Sequence, residues 1–130
     1  MNERQLLEAD LTGRIIAAAI EVHRILGPGF GEDVYEEAFA HELKLHNIPF
    51  ERQKEFQVPY KDITAKTYKF DFIVDNKVIV ELKAVTELSD IHEAQLLSYL
   101  KATNLKVGLL INFNVKMLKN GIKRLISPKN

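Results

Sequence analysis

The sequence contains no cysteine, which excludes disulfides, thiolate-held zinc and cysteine nucleophiles and leaves the redox compartment open. It has no apolar run near the roughly 18 residues that a membrane span requires. The opening "MNERQLLEADL" is charged from the start and has no apolar signal core. Repeats, low-complexity tracts and linkers are missing as well. These absences lead us to expect a soluble, cytoplasmic protein with no membrane partner. At 130 residues, 1–130 is expected to form a single domain that buries about two-thirds of its surface without a disulfide or metal staple.

An excess of charge of one sign is also missing, with 18 basic and 18 acidic residues. The balance hides an asymmetry. From Lys101 onward the chain carries Lys101, Lys106, Lys116, Lys119, Lys123, Arg124 and Lys129 and no acid, so the first hundred residues hold −7 and the remainder +7. A solvated basic end explains this, and so does a flank that meets phosphate. Charge alone does not choose between them.

Leu11 to Leu26 has a helical apolar period and ends at "GPG". "GPGFG" (Gly27 to Gly31) reads as a breaker, because no Gly-Lys-Ser/Thr follows to make a phosphate loop. A second helix is expected from about Gly31 to His46. Phe50 to Tyr60 reads as a strand that Pro59 ends. "TELSDIHEAQLLSYLKATN" reads as a third helix capped by Thr86 or Ser89. The continuous apolar run from Leu105 to Phe113 suits a strand covered on both faces. "VKMLKNGIKRLI" closes the chain as a short helix or a helix-turn-strand. The order is α-α-β-β-β-α-β plus a tail, a mixed α/β (α+β) sheet protein with helices on both sides.

"KFDFIVDNKVIVELKAV" (Lys69 to Val85) reads as two strands joined at Asp75-Asn76-Lys77, yet it carries Asp71, Glu81 and Lys83 inside its apolar runs. Successive strand side chains alternate faces, so Glu81 and Lys83 share a face, about 7 Å apart along the chain. A lone Glu-x-Lys is most simply a strand's solvent side. Asp71 alters the weighing. A three-residue turn sets it opposite Glu81 on the same face, where two carboxylates repel unless a cation sits between them. A two-residue turn would direct Asp71 away.

Glu32 precedes Tyr35 by three residues and Phe39 by seven, on the apolar stripe of the second helix, although an acid in a first turn also complements the helix dipole. Asp33, Glu36 and Glu37 look ordinary and solvated. In the third helix His92, Gln95 and Tyr99 share a face. Gln95 lies among Ala94, Leu96 and Leu97, where a buried amide satisfied by backbone is the simple explanation.

On these blocks the chain resembles the GxxExxY proteins, a branch of the PD-(D/E)xK nuclease-like superfamily. The naming motif is Gly29-Phe30-Gly31-Glu32-Asp33-Val34-Tyr35. The superfamily core is matched by Asp71, Glu81-Leu82-Lys83 and Gln95-Leu96-Leu97-Ser98-Tyr99, and the likeness spans roughly residues 11 to 126. The proline often found before the aspartate is replaced by Phe70.

The resemblance implies a restriction-endonuclease-like core, a mixed four-stranded sheet flanked by helices, with a Mg²⁺ or Mn²⁺ site at the sheet's edge. Asp71 and Glu81 would hold the metal, with the Leu82 carbonyl as a third ligand and Glu32 reaching it directly or through water. Lys83 would orient water or stabilise charge on the phosphorane, and Gln95 would position Lys83 or the nucleophile. Tyr35, Tyr99 and His92 would support the site. The expected activity is hydrolysis of nucleic acid, DNA in preference to RNA, with Lys101, Lys106, Lys116, Lys119, Lys123 and Arg124 as phosphate contacts. The alternative is an inactive nucleic-acid-binding or protein-interaction module that keeps the fold. A homodimer or larger assembly is compatible with the small size.

Overall fold

In the computed structural model, which describes residues 7–128, two helices come first. Helix α1 (Ala9–Leu26) buries Leu11, Ile15, Ala18, Ala19 and Val22, the residues of its helical stripe. It stops at Gly27, whose φ of 68° suits glycine and whose N–H donates to the His23 carbonyl at 2.8 Å. Helix α2 (Glu32–Leu45) buries Tyr35, Phe39, Ala40 and Leu43 on the same principle. No described helix is long and apolar enough to cross a membrane.

Strands β1 (Phe50–Tyr60), β2 (Ile63–Val74) and β3 (Val78–Lys83) follow, then helix α3 (Asp90–Thr103) and strand β4 (Val107–Asn112). The tail is a 3₁₀ turn (Leu118–Gly121) leading into β5 (Ile122–Ile126). The sheet is ordered β1-β2-β3-β4-β5, with only β3 and β4 parallel. That crossover carries α3, as a parallel pair requires.

The sheet thus has five strands where four were expected. Of the two alternatives for the tail, the one ending in a strand is adopted. β5 pairs antiparallel with β4 from Val107↔Ile126 to Ile111↔Ile122, closing a backbone edge that would otherwise lie open beside the most apolar strand. Pro59 does not end β1. It sits beside a register shift between Val58 and Pro59, and pairing resumes through Tyr60.

Alternation along the central strands divides the interior into two cores. Val78, Val80 and Leu82 of β3, with Val107, Leu109 and Ile111 of β4, pack with α1 and α2. Ile79 and Leu110 pack with Leu96, Tyr99 and Leu100 of α3 and with Phe56 and Phe70. Every residue of β4 is buried, as its continuous apolar run predicts.

Gly121 lets the tail turn past the end of β4, since a Cβ there would lie 2.2 Å from the Asn112 carbonyl oxygen. Gly121→Ala should therefore destabilise the fold by about 1–3 kcal/mol, as overpacking does. Gly13, inside α1 with nothing near its missing Cβ, should do the opposite on substitution by alanine, gaining up to about 1 kcal/mol from helix propensity. Urea unfolding of both variants checks the pair.

Candidate active site

The site begins at the β2–β3 turn. Asp75 and Asn76 have φ of 52° and 55°, a conformation Asp and Asn tolerate better than most residues, and the Lys77 N–H closes the turn on the Val74 carbonyl at 3.0 Å. Three residues lie in the turn, and the register runs Val74↔Val78, Ile73↔Ile79, Phe72↔Val80. That is the register that directs Asp71 toward Glu81.

One step further the ladder is replaced by side chains. The Asp71 N–H donates to Glu81 Oε2 at 2.8 Å, and the Leu82 N–H donates to Asp71 Oδ2, also at 2.8 Å. Each carboxylate takes the acceptor's place on the other strand, and β2 parts from β3 there. Glu81 is buried, 7% exposed, while Asp71 and Lys83 are half-buried.

Burial pushes the Glu81 carboxyl up to about 8, and the negative charge of Asp71 adds to the rise. The Asp71 N–H and the Lys83 charge only partly offset it. Burial likewise raises Asp71, against the Leu82 N–H, with the charges of Glu36 and Glu32 adding to the rise and Lys83 opposing it. Among the described residues no ion pair or hydrogen bond engages the Lys83 ammonium. At neutral pH the pair therefore retains a proton that a hard cation could displace, and an all-oxygen donor set of this kind fits Mg²⁺ or Mn²⁺.

Glu32 opens α2 and is exposed, yet its charge is felt by both carboxylates. It is not drawn into a cluster with them. Among the described residues no three His, Asp or Glu side chains are gathered so as to hold a metal ion. Glu36, one turn on, is not the solvated acid expected. It is half-buried, accepts from Arg52 at 2.6 Å and Gln53 at 2.9 Å, and its charge acts on Asp71 more strongly than that of Glu32.

Tyr35 is fully buried and stacks on Phe113 with ring centroids 4.6 Å apart. Its hydroxyl donates to the Gly27 carbonyl at 2.5 Å and accepts the Phe30 N–H at 3.2 Å, so it holds the glycine-rich loop that delivers Glu32. Tyr99 lies among Phe56, Tyr68 and Phe70, and its phenol is pushed up to about 12 by burial first and by the Glu81 charge second.

Gln95 departs from its expected burial, and His92 has a local partner. His92 Nδ1 accepts the Ser89 N–H at 3.0 Å, which makes the imidazole part of the cap of α3. Gln95 is exposed, because the helix turns Leu96, Tyr99 and Leu100 to the sheet and leaves position 95 outside that stripe.

The basic residues are spread over several elements. Lys106 precedes β4 while Lys116 and Lys119 follow it, which separates them by about 20 Å of strand. Lys101 is exposed in the last turn of α3. Lys123 lies 4.0 Å from Glu93, and Arg124 donates to the Leu7 carbonyl. Lys129 lies outside the described residues.

Sequence reasoning missed Asn112. It is buried at the end of β4, opposite Lys83. Its side chain accepts the Val85 N–H at 3.0 Å and donates to the Val85 carbonyl at 2.9 Å, while the Phe113 N–H donates to the Lys83 carbonyl at 3.0 Å. The chain leaving Lys83 is thereby clamped to β4. The available signal was a polar residue inside the apolar run "VGLLINF".

A mixed sheet with helices on both faces, an aspartate and a Glu-x-Lys meeting where two strands part, defines a nuclease-like α/β protein. The sequence matches the PD-(D/E)XK nuclease superfamily over residues 9–125, and the chain belongs to that superfamily. Its nucleases are metal-dependent and act on nucleic acid. The crystal structure of SSO0001 is similar in fold, with a TM-score of 0.55 at 20% identity, covering 98% of this chain and 62% of that one. The chain therefore spans less than two-thirds of that protein's length. No curated protein matches the sequence.

The Glu81 carboxyl sets a pH dependence whose sign follows from proton counting. Folded, it titrates at about 8 against an ordinary value of 4.5, so the folded state holds a proton that the unfolded state has released. This stabilisation is complete below the ordinary value and is lost as pH rises through about 8. Metal-free protein should lose thermal stability across that interval. Glu81→Gln, neutral throughout, should flatten the profile and exceed wild type by at least roughly 1 kcal/mol above pH ~8. Melting temperatures in chelator across the pH range check it.

Proposed function

We propose that the chain is a metal-dependent nuclease of the GxxExxY branch that hydrolyses phosphodiester bonds of DNA in preference to RNA. The observation carrying this reading is the reciprocal Asp71–Glu81 pair, two raised carboxyls held together with Lys83 nearby and unengaged. Asp71 and Glu81 would hold Mg²⁺ or Mn²⁺, with the Leu82 carbonyl as a further oxygen donor. When bound, the ion supplies Lewis-acid activation of the phosphate and of a water.

The remaining roles belong to the chain. Glu81 must give up its proton for the pair to take a cation. Lys83 sets a positive charge beside the negative charge that builds on the phosphate in the transition state. Glu32, exposed at the head of α2, supports a hydrating water, and Tyr35 is a positioning residue that holds the loop before it. Gln95, exposed on α3, would position Lys83 or the attacking water. Lys116 and Lys119, at the end of β4 where Asn112 faces Lys83, are better placed for flanking phosphates than Lys106 at its start.

Cleavage of linear, nicked, circular and single-stranded DNA, and of RNA, in Mg²⁺ or Mn²⁺ against chelator tests the reading. Lys83→Ala should cut on the order of 10²–10³-fold more slowly with Mn²⁺ affinity retained. Asp71→Asn, which still accepts the Leu82 N–H, should lose both Mn²⁺ binding and cleavage. A wild type that binds nucleic acid but takes up no metal and cuts nothing is the binding module instead. Undiminished cutting by Lys83→Ala would show that the lysine has another role.

A further inference from the structure

β2 is 12 residues long, yet only Phe72–Val74 pair with β3. From Asp71 back to Ile63 its sole strand partner is β1, so a two-stranded arm leaves the sheet at the carboxylate pair. At about 3.3 Å per residue its tip stands about 25 Å from Asp71. An isolated two-stranded ribbon is marginal in water. This one is anchored at its base, where Phe56 stacks on Phe70 at 4.2 Å and Tyr99 of α3 lies 4.9 Å from Phe56.

Beyond that anchor the core makes no demand on it. Every residue from Pro59 to Thr67 is exposed, and Tyr60 and Ile63 flank the tip at 59% exposure each. The arm carries Lys54, Lys61, Lys66 and Lys69 against Glu55 and Asp62. Lys54 pairs with Glu51, but Lys61 lies over the Tyr60 ring at 5.4 Å and Lys66 over the Tyr68 ring at 4.8 Å. Those two ammoniums are steadied on ring faces without being neutralised. On the α3 side, Val58 and Pro59 form one wall of a groove of about 440 Å³ whose opposite wall carries Ser98 and Lys101.

We propose that this arm grips duplex DNA, lying in the major groove and setting the backbone at its base beside the Asp71–Glu81 site. The inference rests on the nuclease reading and adds the duplex form of the substrate and the element that holds it. Width favours it, because the B-DNA major groove, about 12 Å across, admits a two-stranded ribbon, whereas the major groove of A-form RNA is too narrow for side chains to read. Length favours it too, since an arm of about 25 Å lies within one helical turn of about 34 Å. The lysines on the arm and Lys101 beside it match the sign of the phosphate backbone. Arm and carboxylate pair are joined directly, because β2 runs from the tip at Ile63 to Asp71 without interruption.

The experiment is fluorescence anisotropy of the full chain in chelator, with a DNA duplex two helical turns long, the same duplex as RNA, and one DNA strand, at several salt concentrations. The Lys61→Glu/Lys66→Glu double variant should bind duplex DNA at least about 10-fold more weakly, with a log-log salt slope shallower by about 2. Lys44→Glu, a charge reversal on the exposed side of α2, should bind as wild type, and all three proteins should melt alike. Tyr60→Ala/Ile63→Ala, which keeps every charge, should weaken duplex DNA binding and spare the single strand.

Duplex DNA bound equally well by wild type and the arm variants overturns the arm's role and leaves the nuclease reading intact. Preference for duplex RNA overturns the groove argument, and a wild-type dimer that the tip variant converts to monomer assigns the arm to self-association instead. Wild type that binds none of the three nucleic acids brings down the nuclease reading, and the arm inference with it.

Discussion

The exchange of hydrogen bonds between the Asp71 and Glu81 carboxylates and the opposite strand's backbone is the constraint on which the rest of the structure depends. Two carboxylates placed side by side in a partly buried position repel. Here each accepts a backbone N–H of the other strand, which offsets part of that repulsion. The arrangement needs the three-residue turn at Asp75-Asn76-Lys77. A register shifted by one would turn Asp71 to the other face and leave Glu81 buried with no such donor. It also ends the β2–β3 ladder, which is why the outer part of β2 leaves the sheet with β1 alone.

Around this pair, rigidity comes from groups that never touch it. Asn112 and the Phe113 N–H secure the exit of β3, so the Glu-x-Lys segment is tied on the β4 side as well as the β2 side. Tyr35, stacked on Phe113, links that same strand end to the loop before Glu32. One aromatic contact thus connects the two ends of the charged constellation. The two cores hold the sheet between helices, leaving the charged residues where the strands part.

Much of this was legible in the sequence for a physical reason. Alternation along β3 sets Glu81 and Lys83 on one face, and a three-residue turn then sets Asp71 opposite Glu81. The bounds of β1 and the burial of β4 followed from composition. Helix faces and charge were less legible. Helical position 95 lies near enough to the apolar stripe to look buried, and only the packing of Leu96 and Leu100 fixes the rotation that exposes it. The capping contact of His92 was not legible, because a capping imidazole and a functional one occupy the same helical face. The basic residues after Lys101 are adjacent in sequence, but β4 places Lys106 and Lys116 at its opposite ends. Glu36 read as solvated and Asn112 was passed over because their partners, Arg52 and Val85, are distant in sequence. β5 was half-legible, since a short amphipathic tail can be a helix or an edge strand until a neighbour offers backbone groups to pair with.

In the proposed function a proton and a divalent cation compete for the Asp71–Glu81 pair. Its most direct test is calorimetric titration of the metal-free protein with Mn²⁺ near neutral pH in buffers of different ionisation enthalpy, which counts the protons released on binding. The account predicts release approaching one proton per ion, falling toward none as pH rises past the Glu81 value of about 8, and absent in Glu81→Gln. Mn²⁺ binding with no proton release near neutral pH, or the same release from Glu81→Gln, would contradict it.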